Sequence, residues 1–317
     1  MASANSSFDA VASTTLKNYR GKFADNVSTH IPFWKFMKLK GMEKISGGDT
    51  ILEELMYAEG NGDFYDPATD KMNTAKPEGL SAAEFNWKYL YSTVVIDGAE
   101  EVRNSGPEKQ QSILEARTKQ AEITMQNKAG AAIFGDGTGS GGKAILGLQA
   151  IVDIAPTTGI LGGINRANFS FWRNKVNASV GSYATGGLEA VETMIRNCTR
   201  GTDMPTLIVS GSTIFGYALS RANGRAQFNN PELAGLGFKA LKIDGIDYIF
   251  DSQCPDDRKY VLNHNYLKIR IHKDRNFVTG KFIEPADEDK IVAKIRTAMQ
   301  LTVSNCALQG VLGGFSA

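Results

Sequence analysis

Histidine and cysteine are scarce in this chain, three of each in 317 residues, and their scarcity removes several kinds of chemistry. Cys198, Cys254 and Cys306 are odd in number and far apart, with no Cys or Cys–His spacing that would hold zinc; they read as buried free thiols. His30, His264 and His272 stand away from any Asp or Glu at metal-binding spacing. No apolar run approaches the roughly 20 residues that span a bilayer, and the opening MASANSSFDAVAS lacks the basic region and apolar core of a signal peptide. A cytoplasmic site of synthesis without a membrane partner is therefore expected. The net charge of +1 argues against a dedicated nucleic-acid binder, which needs a strong basic patch. No G-x-S-x-G elbow occurs; SGST at 210–213 reads as a strand end running into a helix. Asp287, Glu288 and Asp289 are adjacent, so they splay rather than converge. No catalytic residue, cofactor or metal ligand is expected.

One loop approaches a nucleotide motif. In DGTGSGGKA, residues 136–144, Gly137, Gly142 and Lys143 match G-x-x-x-x-G-K, which cradles phosphates in its backbone amides. Ala144 stands where a Ser or Thr would reach magnesium, and a helix precedes the loop where a strand is required. A glycine hinge is the expectation, and a nucleotide-binding enzyme the remote alternative.

What the chain does contain is long elements. PEKQQSILEARTKQAEITMQNKAGAAIF, Pro107 to Phe134, is its longest helical run, with proline at the first turn and a Glu115–Lys119 pair four residues apart. Leu114, Ala121, Met125, Ala129, Ala132 and Ile133 make a narrow seam of small residues on one side, suited to lying close on something flat. Ile123 lies opposite the seam and no heptad is sustained, which disfavours a coiled coil. At the far end, Ile291, Ala293, Ile295, Thr297, Met299, Leu301 and Val303 occupy every odd position, the pattern of a long strand with one buried face. Helix and strand would each measure about 40 Å, so they match in length.

Before the helix, residues 1–15 are small and polar. Residues 16–44 carry seven basic side chains against two acidic ones, a net of +5 that leaves −4 for the remainder. Pro32 divides this arm and starts a second short helix, and IPFWKFMKL is too apolar to lie free in water. Thr50–Ala58 and Phe85–Ile96 read as the two strands of a long ribbon. GNGDFYDPATDKMNTAKPEG between them is a loop tip by composition. A two-stranded ribbon has no third layer, so an outside surface must cover Trp87, Tyr89 and Tyr91. From Leu146 to Arg275 the pattern is that of one α/β lobe. GLQAIVDI reads as strand, TLIVS as a buried strand before a helix from about Ser212 to Asn223, ALKI-DG-IDYIF as a hairpin with an Asp244–Gly245 turn, and RKYVLNHNYLKIRI as further strand.

The order of basic arm, extended loop, spine helix, inserted lobe and long returning strand resembles a tailed-phage major capsid protein with the Hong Kong 97-like fold. So do the segments HIPFWKFMKLKGMEKISGGDTILEELMYAEG, GLQAIVDIAPTTGILGGINRANFSFWRN, GLGFKALKIDGIDYIFDSQCPDDRKYVLNHNYLKIRI and TAMQLTVSNCALQGVLGGF. The resemblance implies an α+β fold with residues 1–45 as N-terminal arm and 46–102 as E-loop. Residues 103–145 and 276–317 would form the peripheral domain, with 146–275 inserted as the axial domain. It implies a structural protein of the virion, assembled in the bacterial host's cytoplasm into hexamers and pentamers of an icosahedral shell around double-stranded DNA. Its implied partners are further copies of itself, a separate scaffolding protein, a portal, DNA held by non-specific contact, and a decoration protein. Expected inter-subunit contacts are Phe33, Trp34, Phe36, Phe64, Tyr65, Trp87, Tyr89 and Tyr91; Lys17, Arg20 and Lys22 are the candidates for DNA or scaffold. An encapsulin-like compartment shares the fold and is the alternative.

Overall fold

The computed structural model describes residues 31–67, 69–103, 113–221 and 241–316. The start of the long helix at Pro107 and the arm residues Lys17, Arg20 and Lys22 lie outside them.

Two sheets organise the chain. The first is built on the long strand Lys290–Val303. Strand Lys88–Asp97 pairs antiparallel along its first part, from Lys290↔Asp97 to Met299↔Lys88. On its other edge lie Val278–Thr279 and, further along, Leu267–His272, which in turn pairs in parallel with Met42–Ile45. The expected alternation holds: Ala293, Ile295, Met299, Leu301 and Val303 are buried. Beyond Thr297 the even positions Ala298, Gln300 and Thr302 are buried too, because that half of the strand has protein on both faces.

The helix Ile113–Ile133 crosses this sheet. Ala121 and Met125 meet Val94, Ala293 and Ile295 in one apolar cluster. The four-residue spacing of Ala121 and Met125 puts both on the one face of the helix that meets the sheet. Ala129 and Ile133 continue the seam into the main core, whereas Leu114 is exposed. The helix ends at the glycine-rich loop, where Ser140, Gly141 and Gly142 all take positive φ. The Gly142 carbonyl accepts a hydrogen bond from Lys88 Nζ at 2.6 Å.

The second sheet forms the lobe, in the order Leu241–Ile243, Ile246–Phe250, Leu207–Ser210, Arg258–Leu262, Gly310–Gly313, Lys175–Asn177. Asp244 and Gly245, both at positive φ, make the tight turn of its first hairpin. Helices Leu188–Asn197 and Ser212–Arg221 cover one face through Val191, Ile195, Ile214 and Phe215. The other face, with Leu207, Val209, Tyr260 and Val311, joins the main core.

Four expectations are corrected. Strand Thr50–Met56 does not pair with the strand bearing Tyr89 and Tyr91. It pairs with Leu80–Asn86, in register from Thr50↔Asn86 to Met56↔Leu80, while Lys88–Asp97 turns away to join the long strand. Within GLQAIVDI, Leu148–Ile151 is a single helical turn; apolar runs this short suit either state. RKYVLNHNYLKIRI is not one run of lobe strand: Arg258–Leu262 belongs to the lobe's sheet and Leu267–His272 to the long strand's, while Gly310–Gly313 returns to the lobe. Finally, Phe33, Trp34 and Phe36 are buried in the same chain. Helix Pro32–Phe36 packs Phe33 on Phe134 with ring centroids 5.3 Å apart and Phe36 edge-on to His264 at 5.5 Å. The arm's apolarity is spent on its own core, leaving those rings no surface for a neighbour.

Candidate assembly surfaces

Among the described residues no group of three or more His, Cys, Asp or Glu could hold a metal ion, and no helix is long and apolar enough to cross a membrane. All three cysteines are buried and free. The remaining candidates are exposed apolar and aromatic surfaces on the ribbon and the sheet.

The ribbon has one covered face and one open face. On Thr50–Met56 the inward positions are Ile51, Glu53 and Leu55; on the partner strand they are Ala83 and Phe85, and all five are buried. Gly162, at φ +58°, brings the turn of hairpin Ile160–Asn165 against Ala83 and Phe85 so closely that a Cβ there would lie 2.9 Å from the Ala83 methyl. Its carbonyl accepts the Glu84 N–H at 3.0 Å. The root of the ribbon thus rests on its own subunit. The outward side chains find no such cover: Met56 and Leu80 are 82% and 80% exposed. At the tip Phe64 is fully exposed and Tyr65 and Met72 largely so. Residues 59–78 carry five acids, Glu59, Asp63, Asp66, Asp70 and Glu78, against Lys71 and Lys76, a net of −3.

A polar clamp fixes the ribbon's root. Glu53 sits on the apolar side of its strand, where alternation calls for a hydrophobe, and it is buried. Arg270 reaches it through Nε and Nη2 at 2.8 and 3.0 Å, the two-pronged geometry that suits guanidinium and carboxylate. Arg270 also pairs with Glu43, and Thr302 donates to Glu53 at 2.7 Å. Arm strand, ribbon, sheet strand and long strand are joined at one point. An acid on the buried side of TILEELM was the signal in the sequence. Nothing pointed to Arg270, 217 residues away.

Strand Lys88–Asp97 presents Leu90, Val94 and Ile96 towards the helix side and Tyr89, Tyr91, Thr93 and Val95 away from it. Tyr89 and Tyr91 are 65% and 70% exposed. Opposite them in register stand Ala298 and Arg296, and Thr93 faces Lys294. Arg275 lies 5.9 Å from the Tyr89 ring centre, within cation–π reach. A groove of about 460 Å³ crosses this face beside Val95, Ile283, Lys290, Lys294 and Arg296. Trp87 is held within its own chain: it is half-buried, donates to the Gly48 carbonyl at 3.0 Å and lies edge-on to His272.

Solved structures superpose on nearly the full length of the chain. The cyanophage A-1(L) capsid chain aligns at a TM-score of 0.70 and 15% identity, covering 95% of this chain and 97% of that one. The chain has the fold of phage capsid proteins. The SrpI encapsulin of Synechococcus elongatus PCC 7942 superposes at TM-score 0.63 and 9% identity over 98% and 96% of the two chains. The capsid chain of Myoviridae phage XM1 does so at 0.60 and 13% over 94% and 97%. No family model and no curated protein sequence matches the chain.

Proposed function

We propose that the protein is a structural shell subunit, the major capsid protein of a tailed phage, whose copies form hexamers and pentamers of an icosahedral head around double-stranded DNA. It is not an enzyme in this reading. The observation that carries it is superposition on a phage capsid chain almost end to end in both directions, at 95% and 97% coverage. The ribbon and sheet add physical support, since each leaves apolar and aromatic side chains uncovered on one side.

In this reading residues 1–45 are the N-arm, 46–102 the E-loop, 103–145 with 276–317 the peripheral domain and 146–275 the axial domain, cross-tied by the strands at 267–272 and 310–313. Phe64 and Tyr65 at the tip and Tyr89 and Tyr91 on the sheet meet a neighbouring copy. Charge complementarity supports the pairing: the tip is acidic, and the sheet face carries Lys281, Lys294 and Arg296. Lys17, Arg20 and Lys22 serve DNA or scaffold, and portal and decoration proteins complete the virion.

The superposition on the SrpI shell favours a second reading, an encapsulin-like compartment. Electron microscopy of the purified chain, with and without candidate scaffold and cargo proteins, separates the two. Closed shells whose regularity depends on scaffold, and which hold no cargo enzyme, support the capsid. Shells of one size that retain a folded cargo enzyme support the compartment. A chain that stays monomeric at every concentration and with every co-expressed protein contradicts both.

A further inference from the structure

A lysine lies where the lobe's sheet should hold a hydrophobe. Lys259 is the second residue of strand Arg258–Leu262, on the same face as Val261, beneath the two covering helices, and it has no exposed surface. Its Nζ stands 4.3 Å from the ring centre of Tyr248, 4.6 Å from that of Tyr183 and 5.7 Å from that of Phe315. Its hydrogen bond goes to Tyr183 Oη at 3.0 Å. Among the described residues no carboxylate pairs with it.

The titratable groups around it are phenols. Tyr183 and Tyr248 are both pushed up by burial, Tyr183 to about 12, so neither offers negative charge near neutrality. Tyr248 also shares a hydrogen bond with Ser210 at 2.5 Å. The buried side chains of the helices above are Val191, Met194 and Ile195 from one and Ile214, Phe215 and Ala218 from the other, all uncharged. Cys198, at the end of the first helix, is a thiol that burial raises to about 12.

Two of the three rings sit on short elements outside the six-stranded sheet. Tyr183 opens the wide turn Tyr183–Gly187, and Phe315 lies on the two-residue strand Phe315–Ser316, whose pairing is with Gly181–Ser182. The rings of Tyr183 and Phe315 are 5.8 Å apart and close over the amine from outside. We propose that Lys259 and its aromatic cage form a proton-operated fastener that holds segments 181–187 and 315–316 shut while the amine is neutral and releases them when it is charged. The ring faces attract an ammonium but supply no counter-charge, and they do not replace lost water. Burial accordingly holds the Lys259 amine down to about 7, far below an ordinary lysine. A lysine freed by opening keeps its proton up to about pH 10.4, so the closed state loses stability as pH falls from about 10 towards 7, and below 7, where both states hold the proton, the dependence levels off. The device stands whether or not the chain builds a shell.

Hydrogen–deuterium exchange of the full chain at pH 6 and pH 8.5, corrected for intrinsic amide rates, reads the fastener in peptides spanning 180–187 and 314–316. Linkage gives opening roughly thirtyfold more frequent at pH 6 than at pH 8.5. Lys259→Met, similar in volume and uncharged, should exchange slowly at both values. If Lys259→Met keeps the wild-type pH dependence, or the wild type shows none, the proposal is wrong. The Lys259 Cε resonance of selectively labelled wild-type protein gives a check independent of any variant: titration near 7 supports the fastener, and titration above 10 overturns it.

Discussion

Arg270 grips Glu53 with two hydrogen bonds of 2.8 and 3.0 Å across 217 residues of sequence, and this bond sets how the ribbon leaves the body of the subunit. Both side chains are mostly shielded from water, so removing one strands the other. Arg270→Met should cost about 3–5 kcal/mol of unfolding free energy by urea denaturation, the usual cost of leaving one buried charge unpaired. Glu53→Leu combined with Arg270→Met should recover much of that loss. Equal destabilisation by the single and double variants would mean that Arg270 acts through packing alone.

A second pair ties the arm to the lobe. Asp251, fully buried, accepts the Phe33 N–H at 3.0 Å, an otherwise unpaired donor in the first turn of helix Pro32–Phe36. Burial raises its carboxyl to about 6, although the hydrogen bonds from Gln253 and Phe33 pull the other way. The folded state therefore takes up a proton below 6 that the unfolded chain takes only near 4, so this group destabilises increasingly as pH rises from 4 through 6. Asp251→Asn keeps an acceptor and removes the charge. Its stability relative to wild type should climb between pH 4 and pH 7 by an amount on the order of 3 kcal/mol. A difference that does not vary with pH would place the charged group in water.

Much of the architecture was legible because its signals are local. Alternation from Ile291 to Val303, the four-residue spacing of Ala121, Met125 and Ala129, and the Asp244–Gly245 turn each specify an element without reference to the rest of the chain. What local text does not contain is partnership. Pattern matches Thr50–Met56 to Phe85–Ile96, the one regular alternation downstream, whereas it pairs with Leu80–Asn86, whose LSAAEFN has no β-branched residue to mark it as strand. The strand with the clear alternation is clear because it borders the long strand on one edge and the helix on one face. The arm aromatics show the same limit. Composition demands that Phe33, Trp34 and Phe36 be buried, but whether against their own core or a neighbour depends on where the chain turns. Lys259 and Arg270 were invisible because a charged residue in a strand is ordinarily solvent-facing, and only tertiary packing makes these two exceptions.

The exposed sheet face makes an electrostatic prediction. Lys294 and Arg296 are surface side chains beside Tyr91, so reversing both to Glu should change subunit stability by no more than about 0.5 kcal/mol. Assembly should fail or slow sharply, and Asp63→Lys with Asp66→Lys in the same chain should restore it. Wild-type assembly rates should also fall with added salt, as screened charges do. Normal shells from the doubly reversed sheet would remove this face from the interface.

In the proposed shell the ribbon tip joins one subunit to another and does nothing for the stability of its own. Replacing Asn61 to Glu78 by a short Gly-Ser turn leaves Ile51, Leu55, Ala83 and Phe85 in place, and with them the buried root of the ribbon. Sedimentation velocity of the shortened and parent chains under identical assembly conditions is the most direct test. The parent should give shell-sized particles, and the shortened chain only slow-sedimenting, cooperatively melting subunits or small oligomers. Regular shells from the shortened chain, sedimenting like the parent's, would contradict this joining role.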